Sequence, residues 1–116
     1  MSGIVHVEIK VTNIARAKKF YGKLLGWKFF DMMPGYVLFE AGKGAVGGAF
    51  DKVKKIAKGD ATLAYFEVKS MDVSLDLVKK LRGKIVTPKT EIPGGRGAMA
   101  HFRDSEGNLV GLWSKK

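Results

Sequence analysis

The chain has 116 residues, 46% of them hydrophobic, with 21 Lys and Arg against 11 acidic residues and no cysteine. This length predicts a single domain over residues 1–116, and the absence of cysteine excludes disulfides, zinc–thiolate sites, iron–sulfur clusters and thiol nucleophiles. No apolar run is long enough to span a membrane, and the N-terminal residues lack a secretion signal, so a cytoplasmic protein with no membrane partner is expected.

The first half of the chain begins with an alternating β-branched segment, Ile4–Val11, which predicts a strand. Asn13 is a candidate N-cap for a helix that Gly26 ends. Short strands are predicted after it at Lys28–Asp31, Tyr36–Glu40 and Ala45–Phe50. The apolar residues of the helix recur at helical spacing and predict one inward stripe, which consists of Ile14, Ala17, Phe20, Tyr21, Leu24 and Leu25.

The second half repeats this order after a polar, Lys-rich linker, Asp51–Asp60. A strand is predicted at Ala61–Val68, followed by Asp72 as N-cap and a helix that ends at Gly83. The residues predicted to face inward from this helix are Val73, Leu77, Val78 and Leu81. The remaining strands are predicted at Ile85–Val86, Ala98–Arg103 and Leu109–Trp113, with a long connection at Thr87–Gly97.

The two halves are copies of one unit. A shift of 59 residues places Glu8 over Glu67 and Lys10 over Lys69, with similar residues around both pairs. The fold class is therefore predicted as α+β, with two βαβββ modules at about residues 4–50 and 61–114. A four-stranded sheet with one helix covers only one face, so two modules side by side, helices outside, would leave a shared concave surface.

Strand alternation selects the candidate site residues. His6, Glu8 and Lys10 share one face of the first strand, and Tyr65, Glu67 and Lys69 share the equivalent face of its copy. If both faces lined a common cleft, His6, Glu8, Tyr65 and Glu67 would gather there. The alternative is a solvated polar face.

Other chemistry finds little support in the sequence. The two histidines, His6 and His101, lack the spacing of metal ligands, and His101 is expected to be an ordinary strand residue. No serine lies in a nucleophile motif. The glycine-rich segment 94–97 is not followed by a helix, so a pocket loop or a hairpin turn is expected there rather than a phosphate cradle.

Motifs at both ends of the chain resemble those of the vicinal-oxygen-chelate superfamily, which includes glyoxalase, bleomycin-resistance and extradiol dioxygenase domains. The resemblance covers nearly the whole chain and implies paired βαβββ modules in an open, U-shaped mixed sheet, as well as a homodimer. It rests on His6-Val-Glu-Ile-Lys-Val-Thr-Asn13, Leu25-Gly26-Trp27, Gly47-Gly48-Ala-Phe50, Thr90-Glu-Ile-Pro-Gly94 and Phe102-Arg-Asp-Ser-Glu-Gly-Asn-Leu-Val-Gly-Leu-Trp113.

The resemblance also implies where a metal would be held in metal-dependent members, namely on the first and last strand of each module. His6 occupies the first of these positions, Tyr65 its counterpart in the second module, and Gly111 the last-strand position. The last-strand counterpart in the first module falls on Gly47 or Gly48. Because three of the four positions lack a strong ligand, no cofactor is expected and a divalent metal is disfavoured.

Glu8 and Glu67 are the candidate catalytic residues, either as paired carboxylates for acid–base chemistry or, alternatively, as partners of Lys10 and Lys69 in ion pairs. Trp113 follows Gly111 on the same face and is a candidate for stacking on a ligand or for core packing.

Three functional hypotheses follow. The leading one is metal-independent binding of a small molecule in a cleft between the modules. The candidate ligand-binding residues are His6, Glu8, Tyr65, Glu67, Gly111 and Trp113. The second hypothesis is a metal-dependent lyase, isomerase or dioxygenase of the same superfamily. The third, least favoured because the cations are scattered, is nucleic-acid binding through the +10 surface.

Overall fold

The computed structural model describes all 116 residues, which form eight strands and two helices. In chain order these are β1 (Ile4–Val11), α1 (Ile14–Leu25), β2 (Lys28–Met33), β3 (Tyr36–Glu40), β4 (Gly48–Lys52), β5 (Thr62–Glu67), α2 (Met71–Lys80), β6 (Lys84–Glu91), β7 (Ala98–Arg103) and β8 (Leu109–Ser114). The predicted α+β class is confirmed. Neither helix has the length and apolar character needed to cross a membrane.

The chain divides into two compact units. The first module comprises Val5–Leu63, and its strands lie in the order β2-β3-β4-β1. The second module comprises Ala64–Lys116 together with Met1–Ile4, and its strands lie in the order β6-β7-β8-β5. In each module the first and last strands pair in parallel while the other pairs are antiparallel, so each sheet is mixed. The predicted repeat of βαβββ order is therefore present in the structure.

Helix α1 begins and ends where the sequence predicts. The side chain of Asn13 accepts a hydrogen bond from the backbone N–H of Arg16 at 2.9 Å. Gly26 ends the helix in the left-handed conformation, with φ at 73°, and its N–H donates to the carbonyl of Gly22. These two caps fix the length of the helix that covers the first sheet.

Only part of the predicted stripe of α1 faces the sheet. Ile14, Ala17 and Tyr21 pack against Phe39 and Phe50 in the core of the first module. The other three members of the stripe, Phe20, Leu24 and Leu25, are exposed, so that part of the prediction is wrong. Residues 14, 17 and 21 lie in one line along the helix and occupy the strip of its surface that contacts the sheet. The other apolar residues of the predicted stripe lie beside this line or beyond its end.

Helix α2 begins at a different cap from the predicted one. Ser70, not Asp72, is the N-cap, and its hydroxyl accepts from the backbone N–H of Val73 at 3.3 Å. The helix consequently buries Met71 and Leu75. Of the residues predicted to face inward, only Val78 is half-buried, while Val73, Leu77 and Leu81 are exposed, which corrects the prediction.

The strand boundaries differ most from the prediction in β4 and β6. β4 lies at Gly48–Lys52 rather than at 45–50, so Asp51 belongs to the sheet and not to the linker. β6 runs through Glu91, where a long connection was predicted from Thr87. Pro88 is tolerated within β6 because this strand is at the edge of its sheet, where a missing N–H leaves no neighbour unpaired.

The cap of α2 provides a first test. Replacing Ser70 with Ala should lower the free energy of unfolding by about 1 kcal/mol, because the N–H of Val73 loses its acceptor. Asp72→Asn, which leaves the capping hydroxyl in place, is the matched control and should cost less. Urea unfolding measures both variants, and a larger loss for the Asp72 variant would contradict the assignment of Ser70 as N-cap.

Candidate functional site

The polar residues of β1 lie on the sheet face that α1 does not cover. Ile9 and Val11 pack into the core beneath α1. Because side chains alternate along a strand, His6, Glu8 and Lys10 project from the opposite face, as the sequence predicts. We call this surface the open face of the first module.

A chain of polar contacts runs over the open face. Glu8 is only 5% exposed, and its carboxylate accepts from Lys10 Nζ at 2.5 Å and from the hydroxyl of Tyr36 at 2.9 Å. Lys10 Nζ also donates to Asp51 Oδ2 at 2.7 Å. The hydroxyl of Tyr36 lies 3.0 Å from Nε2 of His6. The alternative that Glu8 pairs with Lys10 is confirmed.

The hydrogen-bond directions define the protonation of His6. The hydroxyl of Tyr36 has one proton, which it donates to Glu8. Nε2 of His6 must therefore donate to the phenol oxygen, which leaves Nδ1 as the acceptor nitrogen of the neutral ring. Burial lowers the pKa of His6 below 6.5, and the charge of Glu8 opposes this shift only in part. The imidazole is thus uncharged at neutral pH.

The pKa of Lys10 is shifted in the direction opposite to that of His6. Burial lowers its pKa, but the hydrogen bonds to Asp51 and Glu8, together with their charges, outweigh burial and raise the pKa above its ordinary value. Lys10 is therefore a permanent cation that holds the two carboxylates in place.

Tyr36 and Asp51 were missed by the sequence analysis. Lys10 pairs with Asp51 across β1 and β4, and Asp51 pairs with Tyr36 across β4 and β3, so the three side chains share one row of the sheet. The only sequence signal for Tyr36 is its place at the start of a strand. The register that brings it to Lys10 depends on pairing between distant segments.

The equivalent face of the second module has a different arrangement. Tyr65, Gly111, His101 and Thr87 pair in register and form one row across all four strands. The hydroxyl of Tyr65 lies 2.6 Å from His101 Nε2, and His101 Nδ1 lies 2.9 Å from Thr87 Oγ1. In a neutral ring, His101 donates to one hydroxyl and accepts from the other. His101 is thus more than an ordinary strand residue.

Gly111 makes this row possible. Its strand separates Tyr65 from His101, and the ring of Tyr65 lies directly over it. A Cβ at position 111 would be only 2.5 Å from Cδ2 of that ring. The absence of a side chain at Gly111 is therefore what allows the phenol to reach His101.

The other two candidate residues of the second module, Trp113 and Glu67, differ in their side-chain contacts. Trp113 Nε1 donates to the carbonyl of Arg96 at 2.8 Å, which anchors the turn between β6 and β7. That segment is a hairpin turn, one of the two predicted alternatives, closed by a bond from the N–H of Ile92 to the carbonyl of Gly97. Glu67 is half-buried beside Trp113 in the sheet register and, unlike Glu8, forms no ion pair. Sharing of a proton between Glu8 and Glu67 stays a prediction.

Comparison with known proteins identifies the family. Residues 3–112 match the model of the Glyoxalase/Bleomycin resistance protein/Dioxygenase superfamily. The chain belongs to this superfamily. The resemblance drawn from the sequence motifs is thereby confirmed.

Two relatives with known sequences share 30% identity with the chain. One, named "Glyoxylase-like domain-containing protein", is from Didymella fabae; the match covers 94% of this chain and 91% of that protein. The other, from Mycobacterium bovis, carries the name "Putative glyoxylase CFP32"; here the match covers 92% of this chain. The chain spans only 43% of that relative's length.

A solved structure agrees in fold at low identity. Methylmalonyl-CoA epimerase from Mycobacterium tuberculosis superposes with a TM-score of 0.74 at 15% identity, covering 97% of this chain and 87% of the other. At this identity the likeness establishes the shared fold alone.

The residues at the superfamily's metal positions do not fit a metal ion. His6 is present, but Tyr65 stands where a second ligand is expected, and its hydroxyl binds His101. The register of β5 with β8 pairs Tyr65 with Gly111, and the same offset in the first module selects Gly47 rather than Gly48. Neither glycine has a side chain that could supply a ligand atom. No group of three or more His, Asp or Glu side chains is arranged to hold a metal.

The contact between Tyr65 and Gly111 predicts how one methyl group added at position 111 changes the stability of the protein. Gly111→Ala should destabilise the protein by about 1–3 kcal/mol, because the ring must move and its bond to His101 breaks. The control is Gly3→Ala, since a Cβ at Gly3 meets no atom within 4 Å. In a Tyr65→Ala background the Gly111 substitution should cost much less. Equal urea midpoints for the two single variants would contradict the proposed contact.

The buried imidazole predicts a titration. NMR of the imidazole nitrogens should give His6 a pKa below 6.5 and show Nε2 protonated in the neutral form. Because the unfolded chain binds this proton more readily, the free energy of unfolding should fall as the pH drops from 6.5 through the folded pKa. His6→Asn should remove that part of the pH dependence, and His101→Asn should leave the His6 titration in place. A His6 pKa above 6.5 would refute the assignment.

Proposed function

We propose that the open face of the first module binds a small organic molecule without a metal ion, in a cytoplasmic protein. The observation that carries the proposal is the buried polar chain formed by His6, Tyr36, Glu8 and Lys10. An ordinary solvated sheet face keeps its carboxylates in water, whereas Glu8 is buried and held from two sides. Such preorganised hydrogen-bonding groups are typical of ligand sites.

The rest of the open face indicates the kind of ligand. The row that starts at Glu8 continues through Ala49 and Leu38 to Phe30, and the row through Tyr36 ends at Met33. Phe30 and Met33 are exposed apolar side chains beside the polar chain. A ligand with an apolar, planar body and one hydrogen-bonding group matches this surface. Since Glu8 and Asp51 are both carboxylates, a neutral ligand suits it better than an acidic one.

The second module contributes further candidate contacts to this proposal. Tyr65, Glu67, Gly111 and Trp113 lie on the face of that module that α2 does not cover, since Phe66 and Val68 pack against α2 instead. Their part in ligand binding is a proposal to be tested by substitution of Trp113 and Tyr65, independently of the first module.

The metal-dependent alternative, a lyase, isomerase or dioxygenase with Glu8 and Glu67 in acid–base roles, makes a distinct prediction. It requires bound metal, whereas the lack of a His or carboxylate at positions 65, 47 and 111 supports metal-independent binding. Elemental analysis of untagged protein from metal-supplemented medium should find almost no divalent metal per chain. About one metal per chain would refute metal independence and favour an enzyme.

Nucleic-acid binding through the surface of this chain, which has a net charge of +10, can be distinguished from small-molecule binding by the salt dependence of the affinity. It predicts duplex affinity that falls steeply with salt.

The binding proposal is tested with a panel of neutral phenols and aromatic amides, followed by backbone amide NMR. Shifts are expected at Tyr36, Phe30 and their neighbours. Tyr36→Phe removes the hydroxyl that holds Glu8 and His6 in position, and it should weaken the binding of a confirmed ligand about fivefold or more, the net contribution of about one hydrogen bond. Lys58→Ala, an exposed change in the Lys-rich segment, is the control and should bind normally. Unchanged affinity of the Tyr36 variant would remove the open face from the site.

A further inference from the structure

Helix α1 carries an exposed apolar ridge. Phe20 and Leu24 are one turn apart on the helix, and they are 61% and 63% exposed. Leu25, at the end of the helix, is exposed as well. Large apolar side chains this exposed, side by side on one helix, mark surfaces that bind a partner. We call Phe20, Leu24 and Leu25 the α1 ridge.

The second module offers an apolar groove. It lies between α2 and strands β7 and β8, with a volume of about 340 Å³. Phe102 and Leu112 line it from the sheet, and Leu77 and Leu81 from the helix. The two leucines are 51% and 68% exposed, so this side of the groove is open to solvent. The groove is large enough to take side chains of the size of Phe and Leu.

The ridge and the groove are complementary in charge. Around the ridge, α1 carries Arg16, Lys19 and Lys23, and the helix contains no acidic residue. The groove is lined by Asp104 and two serines, but by no Lys or Arg, in a chain with a net charge of +10. A hydrogen bond from the backbone N–H of Asn108 holds the pKa of Asp104 below its ordinary value, so this residue is a carboxylate at neutral pH. This groove, whose single charged lining residue is Asp104, thus suits the basic apolar ridge.

We propose that the α1 ridge of one chain docks into this groove on a second copy of the same chain, with Phe20 and Leu24 as the anchors. The occupant is a second copy because a ridge that is both apolar and basic matches an apolar groove whose single charged lining residue is an aspartate. The homodimer expected from the sequence resemblance would then be held by these two surfaces. This inference does not depend on the proposed ligand-binding function.

Mass measurement on the full chain tests the pairing. Light scattering coupled to size exclusion, over a wide range of protein concentration, should show a species of at least twice the 12.7 kDa chain mass. A ridge variant, Phe20→Gln with Leu24→Gln, and a groove variant, Leu77→Gln with Leu81→Gln, should each be monomeric. All four positions are exposed, and circular dichroism checks that both variants stay folded. Val86→Thr, at an exposed apolar position on β6, is the control and should associate like the wild type.

Mixing the two variants gives the decisive result. The ridge variant keeps an intact groove and the groove variant keeps an intact ridge, so the mixture should recover a one-to-one complex that neither forms alone. A monomeric wild type, a variant that still associates, or a mixture without complex would each overturn the proposal. Binding of a monomeric wild type, but not of the ridge variant, to phosphatidylglycerol vesicles would assign the ridge to membranes instead.

Discussion

A single helix covers a single face of each four-stranded sheet, and the period of two along a strand sends every second side chain to the other face. This constraint organises both modules. Apolar residues such as Ile9 and Phe66 pack against a helix. The polar residues that alternate with them along each strand must find polar partners on the face that no helix covers. They do so fully, since no buried side-chain nitrogen or oxygen lacks a hydrogen-bond partner. The polar chains thus satisfy the hydrogen-bonding needs of the fold, and they also provide groups that could interact with a ligand.

The two copies meet this constraint with different chemistry. The first module uses charge, because Lys10 binds two carboxylates and a tyrosine completes the set. The second uses no carboxylate: a histidine links two hydroxyl groups, and a glycine lies beneath the tyrosine ring. The first and last strands pair in parallel in both modules, so this difference in chemistry comes from the side chains that these strands carry. A duplicated fold can therefore carry a different set of polar groups on each module, which fits a superfamily that supports several chemistries.

Local patterns in the sequence were sufficient for the order of the elements, the repeat and the polar faces. Alternation along Ile4–Val11 and the caps at Asn13 and Gly26 depend on neighbouring residues, so they could be read directly. The inward face of α2 could not, because a stripe that includes Leu77 and one that includes Leu75 both have helical spacing. Tyr36, Asp51 and the Tyr65–His101 contact depend on strand register between distant segments, which no local pattern encodes. Family membership followed from motifs, but the ligand chemistry did not.

The contact between Tyr65 and Gly111 also affects the order in which these two residues can be substituted. A carboxylate side chain at position 111 cannot be accommodated while the aromatic ring lies against that backbone. The ring would first have to be replaced by a smaller side chain, and only then would a glutamate become tolerable at 111. The reverse order passes through a clash. A route from this chain to a metal-binding relative, by design or by drift, is therefore less costly when residue 65 changes first.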